Sequence, residues 1–335
     1  MGSRLRPGVL CSLHHMVRLQ PDVHVRGMGT RGQTLDTVRE TDTIDLQHKE
    51  RGRRAPFLTR GGRMAIITIS RGTFSGGKEL AECVAKKLGY QCLSREVLVE
   101  AARRYDVPLE KLSHAIEDKP GILERMTTER AHYLAFIRAA LAKAATDERL
   151  VYHGHAGQLL LRGVPHVLKV RVIADMEYRI KSAMQRKNLS RQKAIDFIKK
   201  IDEDRLKWTK FLYHVDLFEP SLYDVIFNLE KISTSHACDM ITLLDQREEY
   251  RPTSQSQQAI TDLILATDVR ARIAADGTVR DDDIEIDAND GILVITGTIH
   301  SLQEAEKVVD IARKSPGVRD VVSKIRPTYH SLVRY

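Results

Sequence analysis

The sequence predicts a parallel α/β fold followed by a smaller α+β domain. Three observations carry that prediction. Short apolar runs alternate with amphipathic stretches between residues 64 and 245, and a Gly- and Ser-rich turn joins the first run to the first helix. After residue 245 the order becomes helix, strand, turn, strand, helix, strand. At 335 residues, 42% hydrophobic and 29% charged, the composition is that of an ordinary globular chain. Collagen-like, disordered and disulfide-rich classes are excluded. No run of about 18 apolar residues occurs, so no transmembrane helix is expected. The four cysteines (Cys11, Cys83, Cys92, Cys238) form no CxxC pair, which argues against a zinc knuckle or a thioredoxin-type dithiol and fits a reducing compartment.

The net charge of +8 is unevenly placed. Residues 1–63 hold 12 basic and 6 acidic residues, and residues 64–335 are close to balanced. The basic excess is therefore an N-terminal property, and no nucleic-acid partner is expected. Residues 1–63 show neither a sustained hydrophobic period nor the apolar core of a secretory signal. They are expected to be a disordered extension, with Met64 as the natural start and the cytoplasm as the location.

Residues 65–69 are almost continuously apolar, as a strand covered on both faces requires. Residues 70–77 form the turn. Leu80, Val84 and Leu88 then repeat with helical spacing, and Gly89 stops the helix. Helical periodicity runs over 94–104 and about 120–145. Residues 150–153 and 167–173 are strands, and Asp175 can cap the helix that follows. Ser190 caps a long helix to about residue 211, with Ala194, Ile198 and Ile201 on one face. Residues 224–229 are a further strand. Residues 246–258 are polar and predict a linker. Beyond it come a helix (259–275), strands at 283–287 and 292–299 joined by the turn Asn289-Asp290-Gly291, a helix (302–314) and a strand (318–325). The domains are thus expected at 64–245 and 259–326, with a tail at 327–335.

A strand, a glycine-rich turn and a helix in that order make a phosphate cradle, because the amides converge and the helix N-terminus adds partial positive charge. Gly72-Thr73-Phe74-Ser75-Gly76-Gly77-Lys78 satisfies GxxxxGK. The next residue should be Ser or Thr to hold Mg²⁺, and it is Glu79. A tight turn without a ligand is the competing reading. His153 and His155 share a strand face, which suits either a hydrogen-bonded pair or two metal ligands. Without a third ligand, no metal site is expected.

The run Ile69-Ser70-Arg71-Gly72-Thr73-Phe74-Ser75-Gly76-Gly77-Lys78-Glu79-Leu80-Ala81 resembles the opening of the cytidylate kinase-like family. The likeness continues through Leu88-Gly89-Tyr90 and the stretches 151–161, 202–213 and 223–228. It implies a P-loop kinase-type parallel sheet with flanking helices, binding of ATP with Mg²⁺, and a nucleoside monophosphate such as CMP as acceptor. It also implies a mobile arginine-bearing lid. On that basis Lys78, Arg179 and Arg205 are the candidate catalytic residues. Ser70, Arg71, Gly72, Ser75, Gly76, Gly77, Lys78, His155, Arg186 and Arg191 are the candidate nucleotide- or phosphate-binding residues. The chain departs from the family pattern in four places. In a gapless register the family's loop lysine falls on Gly77, a loop glycine is Phe74, an arginine is His155 and an aspartate is Ser94.

Residues 259–326 resemble a BON domain, through Ile292-Leu293-Val294-Ile295-Thr296-Gly297, the helix 304–313 and Pro316-Gly317-Val318. Gly297 suits a bulge or a close backbone approach. The resemblance implies an interaction module for a membrane surface, a small ligand or a partner protein. Asp281, Asp282 and Asp283 are expected to be solvated. Three functions stay open at this point: a nucleoside monophosphate kinase, a non-catalytic nucleotide sensor, and an adaptor on a kinase scaffold.

Overall fold

The computed structural model describes residues 65–117, 128–154, 156–279 and 283–328. The expected N-terminal extension, His155, Asp281 and Asp282 lie outside them, as does the tail beyond Thr328.

The first part of the fold is built on β1 (Ile66–Arg71), β2 (Gln91–Leu93), β3 (Leu150–Tyr152), β4 (Val167–Ile173) and β5 (Val225–Asn228). They form one parallel sheet in the order β2-β3-β1-β4-β5. β1 lies at the centre, which is why its sequence is apolar on both faces. One face packs Ile67, Ile69, Val170, Val172 and Phe227 against α1 (Gly77–Leu88) and α8 (Thr234–Leu244). The opposite face packs Ile66, Leu150 and Val167 against α2 (Glu96–Tyr105) and α4 (Thr128–Ala144). Between them in the chain run α3 (Leu109–Glu117), α5 (Gly157–Leu160), α6 (Met176–Lys187) and α7 (Arg191–Tyr213). Asp175 and Ser190 cap α6 and α7 with their side chains, as their positions predict. This is the expected parallel sheet with flanking helices.

The second part comprises α9 (Ser254–Asp276), β6 (Ile284–Asn289), β7 (Ile292–Ile299), α10 (Leu302–Arg313) and β8 (Asp320–Pro327). β6 and β7 are an antiparallel hairpin. Its two turn residues, Asp290 and Gly291, both have positive φ, as a two-residue turn of this hand demands. β8 then returns parallel to β7 after α10.

The stretch expected as linker is shorter and more ordered than its polarity suggests. Thr253 and Ser256 form a reciprocal capping box, so α9 starts at Ser254, five residues before the expected helix. α9 serves two cores. Ile260, Ala271 and Ala274 join the core beside α4, whereas Val269 and Ile273 join the core of the small sheet. Arg104 of α2 pairs with Asp268 at 2.5 Å.

The cysteines also depart from expectation. Cys83 of α1 and Cys238 of α8 are bridged across 155 residues of sequence, inside the core those helices share with the sheet. Cys92 is free. Among the described residues no helix is long and apolar enough to cross a membrane.

Gly297 sits inside β7 at φ +121°, opposite Ile284, and a Cβ there would lie 1.9 Å from the carbonyl oxygen of Asp283. Gly297→Ala must therefore separate the hairpin strands, and we expect it to destabilise the protein by about 2 kcal/mol or more. Denaturant unfolding of the variant beside the parent chain measures this; an unchanged midpoint would contradict it.

Candidate functional site: the turn after the central strand

The site grows from the C-terminal end of β1. Arg71 is the last strand residue, and α1 begins six residues later, at Gly77, with Gly76 as its N-cap in the left-handed conformation. No side chain caps this helix, so its first amides are not held by one. The intervening turn is closed internally: both the amide and the hydroxyl of Ser75 donate to the Gly72 carbonyl, at 3.2 and 2.9 Å. Phe74, where the family has glycine, is at φ +60°. That conformation strains a side chain by about 1–2 kcal/mol. Packing the ring offsets it: Phe74 meets Phe197 of α7 at a tilt, with centroids 5.9 Å apart, in a cluster with Ile180, Ala183 and Ile198.

Helices α6 and α7 close over the turn. Asp202 accepts a hydrogen bond from the Thr73 amide at 3.1 Å and another from the Thr73 hydroxyl at 2.7 Å. Arg179 pairs with the other oxygen of the same carboxylate and donates to the Thr73 carbonyl at 2.8 Å. Its guanidinium covers Gly72. Arg205 donates to the Thr73 hydroxyl at 3.3 Å. A carboxylate thus rests on a loop amide with two arginines at hand.

The remaining candidates separate. Lys78 is exposed, 59% for its side chain, and faces Glu82 one turn along α1 at 3.8 Å. Arg186 pairs with Glu79. Burial works to raise the Glu79 carboxyl, but the hydrogen bond and charge of Arg186 hold it below its ordinary value. Arg191 is bound to Glu177 on an exposed face, at 2.9 and 2.5 Å. Ser70 turns to the opposite side of the sheet and lies 3.5 Å from the Tyr223 hydroxyl. There Tyr223 also receives Gln158 at 3.3 Å and Arg171 at 2.9 Å, and itself donates to the Leu217 carbonyl. Ser94, at the family's aspartate position, donates to the His153 carbonyl at 3.4 Å.

Arg71 lies over α1. A Cβ on Gly77 would come within 2.6 Å of the Arg71 Cβ and 2.7 Å of its Cδ, so glycine is required there. Burial lowers the Arg71 pKa from its ordinary value, while the nearby Glu79 opposes that shift. His153 is buried close by and its Nδ1 has no hydrogen-bond partner. Burial, and next the charge of Arg71, push its pKa down to about 4. Among the described residues no cluster could hold a metal ion.

Thr73 and Asp202 are the residues that sequence reasoning missed as a pair. The signal for Thr73 was its place within the glycine turn; its partner is 129 residues away and becomes visible only in the fold.

Comparison with known proteins agrees with this architecture. Residues 66–231 match the cytidylate kinase-like family and residues 261–327 the BON domain. A cytidylate kinase of Sulfurisphaera tokodaii is 23% identical over 177 residues, which is 52% of this chain and 92% of that one. An uncharacterized protein from Eubacterium ventriosum, of known structure, is 21% identical with a TM-score of 0.43, covering 55% of this chain and 99% of its own. A shikimate kinase from Bacteroides thetaiotaomicron is 14% identical with a TM-score of 0.36, covering 54% and 97%.

The buried neutral His153 makes stability depend on pH. Its folded pKa of about 4 lies below the ordinary 6.5, so the unfolded chain binds the proton more readily. Stability is full above the unfolded value and is lost as pH falls from 6.5 towards 4. Denaturant unfolding at several pH values should show that loss, and His153→Gln should flatten part of the slope. Equal slopes for parent and variant would refute the assignment.

Proposed function

We propose, for a chain that belongs to the cytidylate kinase-like family through residues 66–231 and carries a BON domain at 261–327, that the turn after β1 binds the phosphates of a nucleotide. In this reading ATP is the donor, a nucleoside monophosphate such as CMP is the acceptor, and the γ-phosphoryl group passes between them. One observation carries the reading. The Asp202 carboxylate sits on the Thr73 amide and hydroxyl, paired with Arg179, with Arg205 on the same hydroxyl. A seat that accepts one anion through a backbone amide and guanidinium groups has the chemistry to accept another.

Phosphoryl transfer needs positioning and charge neutralisation more than covalent chemistry. Arg179 and Arg205, on the covering helices, can supply charge while those helices exclude water. ATP enters as its Mg²⁺ complex. The residues present do not fit a protein-held Mg²⁺ of the usual kind. Glu79 stands where Ser or Thr would, and it is committed to Arg186, while the Ser75 hydroxyl is committed to Gly72. No step is therefore assigned to a protein-bound metal. The BON domain would supply attachment to a membrane surface or to a partner protein.

Calorimetric titration with MgATP and CMP, together with a coupled assay for ADP release, tests the proposal. Binding with turnover of both substrates is expected. Binding without turnover would leave a nucleotide sensor, and no binding would leave an adaptor. Asp202→Asn removes the charge that competes for the loop amide. It should tighten MgATP binding by up to about tenfold, roughly the 1.4 kcal/mol by which a charged hydrogen bond exceeds a neutral one. Weaker binding would contradict the competing role of Asp202.

A further inference from the structure

The usual phosphate loop carries its cation on the helix, as a lysine in the first turn that reaches back to the phosphates. In this chain the helix has no such residue facing the turn. Gly77 takes the first helical position, and Lys78, the lysine that satisfies the literal motif, is directed to solvent near Glu82. The volume that a side chain on Gly77 would enter is filled by the stem of Arg71, whose Cβ and Cδ would be 2.6 and 2.7 Å from such a Cβ. The two features exclude each other: with arginine at 71 the helix cannot bear a lysine at 77.

We propose that Arg71 supplies from the strand the cation that phosphate loops ordinarily carry on the helix. The assignment rests on the nucleotide-binding reading above and gives one residue a defined role within it.

Its surroundings fit that role. Arg71 ends the central strand and lies opposite Val172 in the ladder with β4, which places the base of the arginine. Among the described residues no carboxylate lies within ion-pair distance of Arg71, and its Nε is buried without a hydrogen-bond partner. Glu79, the acid whose charge it feels most, is already bound by Arg186. A partly dehydrated guanidinium without a counter-ion, beside a helix start that no side chain caps, is a strong site for a phosphate oxygen. The lowered pKa of Arg71 has the same origin, its burial. A guanidinium can grip a phosphate through two parallel hydrogen bonds, which an ammonium cannot.

The test uses the full chain and MgATP. Calorimetric affinities are measured for the parent, Arg71→Gln, Arg71→Lys, Lys78→Ala and the double variant Arg71→Gly with Gly77→Lys, which removes the Cβ at 71 that blocks a side chain at 77, each checked for folding by thermal melting. Arg71→Gln should weaken MgATP by about tenfold or more, the usual scale for losing a charged hydrogen bond. It should leave adenosine affinity unchanged, because the loss falls on the phosphates. Arg71→Lys should retain part of the affinity, Lys78→Ala should change it by less than about twofold, and the double variant should recover part of what Arg71→Gln loses. A tenfold loss in Lys78→Ala, a surface change that leaves the fold intact, would overturn the proposal even if the Arg71 variants failed to fold. So would full affinity in Arg71→Gln, and in both cases the nucleotide reading would survive. Absence of MgATP binding by the parent chain would overturn the reading and the proposal together.

Discussion

A carboxylate of α7 lies on the backbone amide of Thr73, and much of the first domain is arranged around that contact. It joins the turn after the central strand to two helices whose own packing is modest, centred on Ile180, Ala183, Ala194 and Ile198. Arg179 and Arg205 complete the junction, and Phe74 adds an apolar anchor at the cost of a left-handed backbone. In family terms Phe74 is a departure, but here it ties the turn to the helices above it. Charge crowding follows directly. Arg71, Arg179, Arg186 and Arg205 gather around one short turn, where Asp202 pairs with Arg179 and Glu79 with Arg186. Like charges kept this close repel unless an anion is shared among them. A bound polyphosphate is the ligand proposed to share these charges.

The second domain is bound to the first by a helix rather than a flexible connector. α9 places one set of apolar side chains beside α4 and another against the small sheet, so it belongs to both cores. The polar first turn of α9 reads as linker because a helix N-terminus is built from capping residues; here Thr253 and Ser256 do that work. One helix is thereby shared by the small sheet and by the helix layer beside α4.

What the sequence displayed, and what it concealed, follows from the range of each interaction. β1, the glycine turn, α1 and the hairpin at Asp290-Gly291 are local patterns, and they are where the residues place them. β2 escaped notice because it is three residues long and half exposed at the sheet edge. α3 and α8 carry no strong capping signal before the helix apart from Ser233. The bridge between Cys83 and Cys238, and the seat of Asp202 on Thr73, join residues more than a hundred apart and exist only once the sheet has formed. Lys78 was drawn into the site by a literal motif match. The structure places Lys78 in the first turn of α1, exposed and 3.8 Å from Glu82. By the alternation of β1, Arg71 shares the strand face of Ile67 and Ile69, the face on which α1 packs.

The most direct measurement is a crystal structure of the full chain with a non-hydrolysable ATP analogue. The account predicts phosphate oxygens on the amides at the start of α1, the Arg71 guanidinium within hydrogen-bond distance of them, and Asp202 withdrawn from Thr73. Density that shows Asp202 still on Thr73, Arg71 turned to the protein and no phosphorus beside Gly76 and Gly77 would contradict it.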